Sequence, residues 1–284
     1  MPRSSSRRAK TTLVLAGFAA LLLGTSGCSS LRYADDDELW TEGDGHFDAG
    51  RHDDAIPYYD EIVRRDENEA KALLRRAISA EREGNYQSAL RDYAKAGSLG
   101  DSRAWLYRAN LNISTGALGE AEADLTRLAN ASLQGRDQVI QLTLVGTLRL
   151  AQGQHQMAAQ SLQRAVEMGG GYSDPDTRRH VANAHYNASE AYYHMGDFSR
   201  AYDHMIGYAS KSGGGSTTEQ GLLDQPATHL SGQDNYMLGL LAYLNHDFDA
   251  ANIHFSRADA ELVAKAREEF GDPTLGTSAP GGVK

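Results

Sequence analysis

The side chains able to do chemistry are few and scattered. Of the ten histidines, His180, His185 and His194 gather in one stretch, and His246 and His254 in another. A helix advances about 100° per residue, so His185 and His194 point to opposite faces and make a poor ligand pair. Ordinary, partly exposed histidines are expected there. The run Asp35-Asp36-Asp37-Glu38 is read as the acidic opening of a helix, where carboxylates complement the helix dipole, and not as a cation site. The single cysteine, Cys28, permits no internal disulfide and no Cys/His metal motif. No Gly-rich phosphate loop, His-Glu-x-x-His helix or Gly-x-Ser-x-Gly elbow occurs. The expectation is a chain with no catalytic residues, no metal and no diffusible cofactor, and therefore not an enzyme.

The position of Cys28 explains it. Met1 to Lys10 is basic, Leu13 to Gly24 is an apolar run of 12 residues, and Gly24-Thr25-Ser26-Gly27 leads into Cys28. Twelve apolar residues are too few to span a bilayer comfortably and are typical of a signal peptide. A small-residue box ending in cysteine resembles the bacterial lipoprotein signal, with Thr25 where that family usually has Leu. The resemblance implies cleavage after residue 27 and a diacylglycerol on the Cys28 thiol, the only cofactor-like group expected. Ser29 follows where Asp would favour inner-membrane retention, so the resemblance implies the outer membrane, facing the periplasm. An ordinary signal peptide, an uncleaved anchor or a twin-arginine signal at Arg7-Arg8 are the alternatives. Two or more acyl chains would anchor the chain stably where one would not. Ser29 to Ala34 would then tether the first helix within roughly 20 Å of the lipid.

The chain has 284 residues and a net charge of -10, and its first 27 residues carry four basic and no acidic side chains. The remainder is therefore more acidic still, which argues against nucleic acid and against broad adhesion to anionic lipid.

What must position any functional side chain is a repeat. Gly50, Gly84, Gly116, Gly153 and Gly196 each stand five residues before an alanine: Ala55, Ala89, Ala121, Ala158 and Ala201. A sixth copy has His246 before Ala251. Four residues after each alanine comes a large residue: Tyr59, Tyr93, Leu125, Leu162, Met205, Phe255. Twelve before it comes a small one: Gly43, Ala77, Ala109, Gly146, Ser189, Gly239. The pattern predicts six hairpins of amphipathic helices. Glycine ends the first helix because it enters the left-handed conformation without penalty. The small residue of the first helix is expected to face the alanine of the second, with the large residue filling the same seam. Stacked hairpins bury a continuous core.

This pattern resembles the tetratricopeptide repeat (TPR) family, most closely at Gly50-Arg51-His52-Asp53-Asp54-Ala55-Ile56 and Gly84-Asn85-Tyr86-Gln87-Ser88-Ala89-Leu90. The family's closing proline is absent throughout, and the alanine spacing grows along the chain. The organisation expected is a signal peptide over 1–27, a lipidated linker over 28–35, an all-α TPR superhelix over 36–270 and a disordered tail over 271–284. Gly-rich insertions are expected near 169–181 and 210–231. The helix beginning near Phe248 is expected to run on to Phe270 as a cap.

In the family, partners lie in the groove lined by the first helix of each hairpin. That resemblance implies Lys71, Arg103, Asn110, Asn183, Tyr186 and Tyr236 as groove residues. Tyr193 joins Tyr186, Tyr236 and Tyr243 in an aromatic stripe suited to anchoring a partner. The function implied is a membrane-anchored scaffold or adaptor of the bacterial cell envelope that binds partner proteins or peptides. A regulatory subunit modulating a cell-wall enzyme is the alternative, and a catalyst in its own right a third. No nucleic acid and no small-molecule substrate are expected.

Overall fold

The structure is a computed structural model that describes residues 31–128, 131, 133–213, 218–224 and 229–277. The signal peptide and Cys28 lie outside the described residues. All regular structure among the described residues is helical, and none of these helices is long and apolar enough to cross a membrane. The chain divides into two compact units with the boundary at Ala104.

The first unit holds α1 (Asp36–Asp48), α2 (His52–Arg65), α3 (Ala70–Arg82) and α4 (Tyr86–Ser98). Each helix packs on the next in sequence. Asp35 caps α1, its carboxylate accepting from the Glu38 amide at 2.8 Å, so the acidic run is a helix opening. Arg65 of α2 ties down the segment before α1. It donates to the Leu31, Arg32 and Ala34 carbonyls and to the Asp36 carboxylate.

The second unit takes up α5 (Ser102–Ser114) from its first turn onward, then α6 (Leu118–Leu128), α7 (Arg136–Ala151), α8 (His155–Gly169), α9 (Pro175–His194), α10 (Phe198–Ser212), α11 (Glu219–Asp224), α12 (Gly232–Leu244), α13 (Phe248–Phe255) and α14 (Ala260–Phe270). Helix α9 packs on both α7 and α8, and α10 packs on α9 and α12. Its core joins Ala158, Leu162, Ala188, Ala201, Met205, Leu238, Ala251 and Phe255.

Six hairpins are therefore present among the described residues, each closed by the same turn. Gly50, Gly84, Gly116, Gly153 and Gly196 all have positive φ, and His246 adopts it too, at 65°. The amide after each reaches back five residues: Arg51 to His46, Asn85 to Ala80, Ala117 to Asn112, Gln154 to Arg149, Asp197 to Tyr192 and Asp247 to Ala242. These bonds satisfy carbonyls that a helix end leaves orphaned. All six repeat alanines are buried, as are the large residues four positions later.

The seam departs from the expectation in one respect. A Cβ added to Gly146 would lie 2.4 Å from Leu162 Cγ, and one on Gly239 2.8 Å from the Phe255 ring. On Gly43 it would meet Tyr58 Cβ at 3.0 Å and the Tyr59 ring at 3.3 Å. At these three glycines the large side chain one turn past the alanine lies in the seam as expected, and no atom of the alanine is among the nearest neighbours.

Three other expectations change. The stretch 169–181 is mostly helix, because Asp174 caps α9 through the Thr177 amide and Pro175 sits in its first turn. Most of the extra residues there lengthen α8 and α9. The run from Phe248 to Phe270 is broken, with α13 ending at Phe255 and Asp259 in extended geometry before α14. Residues 271–277 fold back on the unit: Leu275 is buried, its carbonyl accepts from Arg267 at 2.9 Å, and the Gly276 amide reaches Asn252 Oδ1 at 3.1 Å. The rest of the expected tail, 278–284, lies outside the described residues.

Candidate functional site

Each unit has a face made by the first helices of its hairpins. In the first unit that face comes from α1 and α3. Asp44 accepts from the Tyr59 hydroxyl at 2.8 Å and from Lys71 Nζ at 3.0 Å, and Arg75 stands 3.8 Å away. Lys71 Nζ lies 3.9 Å from the centre of the Trp40 ring, and the Arg75 guanidinium 4.2 Å from that of Phe47. Arg75 also approaches Asp48 at 3.5 Å. The predicted groove residue Lys71 is thus already engaged twice within the chain. Arg103 is engaged as well, with its Nε and Nη2 on the Asp101 carboxylate at 3.0 and 2.8 Å.

In the second unit the face is aromatic. Asn183, Tyr186 and Tyr193 lie on one side of α9, and Asn183 is exposed while the tyrosines are half-buried. Tyr236 rises from α12, half-buried beside Phe255. Tyr208 of α10 meets Tyr186 edge to face, with centroids 5.4 Å apart. Tyr186, Tyr193, Tyr208 and Tyr236 all pack against the unit's core. Burial raises the Tyr186 hydroxyl above its ordinary pKa, with Glu190 and Asp234 adding to the shift. Tyr208 is raised by burial, then by Asp234 and Tyr186. Tyr236 is raised by burial, then by Glu269 and Tyr193. Glu190 stands one turn from both Tyr186 and Tyr193 on α9, and Asp234 lies in the first turn of α12, two residues before Tyr236. Tyr243 packs against the same core and stacks on Phe270 at 4.5 Å. Asn110, exposed on α5, is the remaining predicted groove residue of this unit.

The histidines do structural work. His254 is only 1% exposed, against the expectation of an ordinary, partly exposed histidine, and His204 is 7% exposed. His204 Nδ1 stands 3.1 Å from His185 Nδ1, and the His204 ring stacks on Tyr192. A Cβ at Gly207 would lie 2.2 Å from the His185 ring, so glycine there admits the pair. Burial lowers both pKa values to about 4, so both rings are neutral at pH 7 and one can donate to the other. His254, lowered to about 4 chiefly by burial, has Nε2 3.5 Å from the Tyr202 hydroxyl. His194 belongs to another cluster, stacked on His155 at 4.6 Å. Among the described residues no group of three or more His, Cys, Asp or Glu side chains is arranged to hold a metal ion.

Sequence reasoning missed two things. Tyr208, Asp234 and Glu269 complete the tyrosine face but lie outside the first-helix positions carried over from the family. The other omission was visible in the repeat alignment itself. Three residues after the repeat alanine stand Asp92, Asp124, His204 and His254 in repeats two, three, five and six. All four are buried or nearly so, and each is met by a polar group from elsewhere in its own unit. Arg76 grips Asp92 with two bonds and Arg108 grips Asp124 likewise, both across 16 residues.

Comparison with known proteins agrees with this geometry. Residues 41–100 match the tetratricopeptide repeat family model. No curated protein sequence matches the chain. Among solved structures, a chain of the APC/C hetero-tetramer Cut9–Hcn1 superposes with a TM-score of 0.64 at 15% identity over 90% of this chain. This chain spans 45% of that one's length. PilW, a widely conserved type IV pilus biogenesis factor, gives a TM-score of 0.58 at 16% identity, covering 86% of this chain and 99% of its own. YrrB, a TPR protein with an unusual peptide-binding site, gives 0.51 at 16% identity, covering 74% and 97%. At these identities the likeness is one of fold.

Proposed function

This chain folds as a tetratricopeptide repeat protein, and on that premise we propose that it is a lipid-anchored scaffold of the bacterial cell envelope. It holds partner proteins on the tyrosine face of its second unit, takes no cofactor and catalyses nothing. The observation that carries this reading is the set of half-buried rings of Tyr186, Tyr193, Tyr208 and Tyr236, fixed on the core and left partly open. Tyrosines held in this way present contact area at little entropic cost, which suits an interface anchor. The likeness to a pilus biogenesis factor and to a peptide-binding repeat protein supports a binding role.

The anchor is the Cys28 thiol, acylated after signal cleavage, in the outer membrane facing the periplasm. Since Arg65 holds Leu31, Arg32 and Ala34, only Ser29 and Ser30 separate the acylated residue from a fixed segment. The first unit would stand directly at its bilayer. Cross-linking in intact cells followed by affinity capture tests the scaffold. Tyr186→Ala/Tyr236→Ala should lose most cross-linked partners while circular dichroism stays helical. An unchanged partner set would overturn the reading. Cys28→Ser should move the protein from the membrane to the soluble fraction, and retention in the membrane would remove the lipid anchor.

A further inference from the structure

The two units treat aromatic rings differently. In the first, Trp40 is covered by Lys71 and Phe47 by Arg75, and the nearby acids Asp44 and Asp48 pair with those same cations. Elsewhere in the second unit the same pairing recurs, with Arg108 and Arg127 over Trp105 and Arg200 over Tyr192. On the tyrosine face it does not. Among the described residues no lysine or arginine lies over Tyr186, Tyr193, Tyr208 or Tyr236. Glu190 and Glu269 have no lysine or arginine partner there either, Glu190 meeting only His194 at 4.0 Å. Asp234 accepts from the Ser231 amide and hydroxyl in a capping box, and no lysine or arginine pairs with it among the described residues.

We infer that this face takes a peptide segment bearing lysine or arginine, whose cationic side chains lie over the tyrosine rings with Glu190, Asp234 and Glu269 as counter-charges. The inference rests on the scaffold reading and adds the partner's chemistry. A cation over an aromatic face is attracted by the ring quadrupole, and more strongly where water is excluded. The tyrosines need not be ordered on binding, since the core already fixes them. An acidic segment would meet three like charges, and a purely apolar one would strip water from carboxylates without replacing it. A cationic segment alone satisfies both the rings and the acids.

The test uses the purified full chain in nonionic detergent with two fluorescein-labelled 12-residue peptides. One is made of Lys, Ala and Leu in non-amphipathic order, and the other has Glu in place of each Lys. Fluorescence anisotropy should show the Lys peptide binding at least tenfold more tightly than the Glu peptide, and weakening as salt is raised. Glu190→Gln/Glu269→Gln, both exposed positions, should cut that affinity about tenfold without altering the fold. Lys71→Ala should leave it unchanged. Equal or stronger binding of the Glu peptide overturns the inference, as does full affinity in the Gln double variant. Those results would leave the scaffold reading standing if cellular cross-links still depend on Tyr186 and Tyr236. Loss of that dependence would sink the scaffold reading itself.

Discussion

Both units are built from the same hairpin, yet on the α1–α3 face of the first the rings of Trp40 and Phe47 are covered by cations of the chain, while no cation lies over the tyrosine face of the second among the described residues. Asp44 alone gathers a tyrosine hydroxyl, a lysine and an arginine. On the second unit's tyrosine face, among the described residues, no lysine or arginine lies over a ring and Glu190 meets only His194. The difference lies in a few positions. Where α3 has Lys71 and Arg75, α9 has Asn183 and Asn187 and α12 has Gln233 and Met237, while Tyr186 and Tyr236 stand where α3 has Leu74. The hairpin scaffold does not dictate whether a face is closed or receptive, because the residues of the first helix set that independently of the packing seam beneath.

The largest expected contrast lies in the repeat-equivalent acids. Asp124 in the second unit is fully buried and accepts from Arg108, Arg127 and Asn112. Asp92 in the first is 14% exposed and meets Arg76, which has Asp60 as a second partner. Removing one member of a buried ion cluster costs about 3–5 kcal/mol because the remaining charge stays buried and unpaired. Asp124→Ala should fall in that range. Asp92→Ala should cost about 1–2 kcal/mol, since Arg76 keeps Asp60 and some water. Urea unfolding followed by circular dichroism measures both. Equal losses would mean that the two units bury charge alike.

Next in size, taken residue by residue, is the response to acid. His185, His204 and His254 have folded pKa values near 4, all lowered mainly by burial. Unfolded, each titrates near 6.5. Between those values the unfolded chain binds more protons than the folded one, so stability is complete above about pH 6.5 and is lost as pH falls toward 4. A drop of roughly 2 kcal/mol for each of these histidines is expected between pH 7 and pH 4.5. Thermal melts across that range should show it, and His254→Asn should flatten the slope. A melting temperature that holds steady to pH 4.5 would refute the buried neutral histidines.

The repeat was legible in the sequence because its positions have steric reasons. A left-handed turn wants glycine, a close seam wants alanine, and the pocket beside it wants one large side chain. Residues whose role depends on contacts distant in sequence were not legible. Leu275 sits among Gly, Thr and Pro, a composition that reads as disorder, yet it is buried against the second unit. His254 looked like a partly exposed residue because hydropathy gives no sign that a neutral imidazole can be satisfied in a core. Of the seven predicted groove residues, Tyr186, Tyr193 and Tyr236 pack against one core, while Lys71 and Arg103 are held by acids of their own unit. Helix register alone carries no information about those pairings.

A third contrast sets the seams side by side. An alanine in place of a helical glycine gains about 1 kcal/mol in helix propensity. At Gly146 the new methyl would lie 2.4 Å from Leu162 Cγ, and overpacking of that kind costs about 1–3 kcal/mol. At Gly43 the closest approach is 3.0 Å, to Tyr58 Cβ. Gly146→Ala should therefore lower the unfolding midpoint and Gly43→Ala should leave it nearly unchanged. Equal behaviour would show that the first unit's seam is as tight as the second's.

The smallest effect separates the last hairpin from the other five. Five turns use glycine at positive φ, while the sixth places His246 at 65°. A residue with a Cβ there carries roughly 1 kcal/mol of strain, which glycine relieves at the cost of a more flexible unfolded chain. His246→Gly should therefore stabilise the chain by about 0.5 kcal/mol, and Gly84→Ala in the first unit should destabilise it by about 1 kcal/mol. The His246 ring contacts Phe248 at 6.1 Å, an interaction that the glycine variant gives up. Should His246→Gly prove destabilising, that ring contact outweighs the backbone strain. The sixth turn would then be held by its aromatic packing, in keeping with the aromatic character of the second unit's open face.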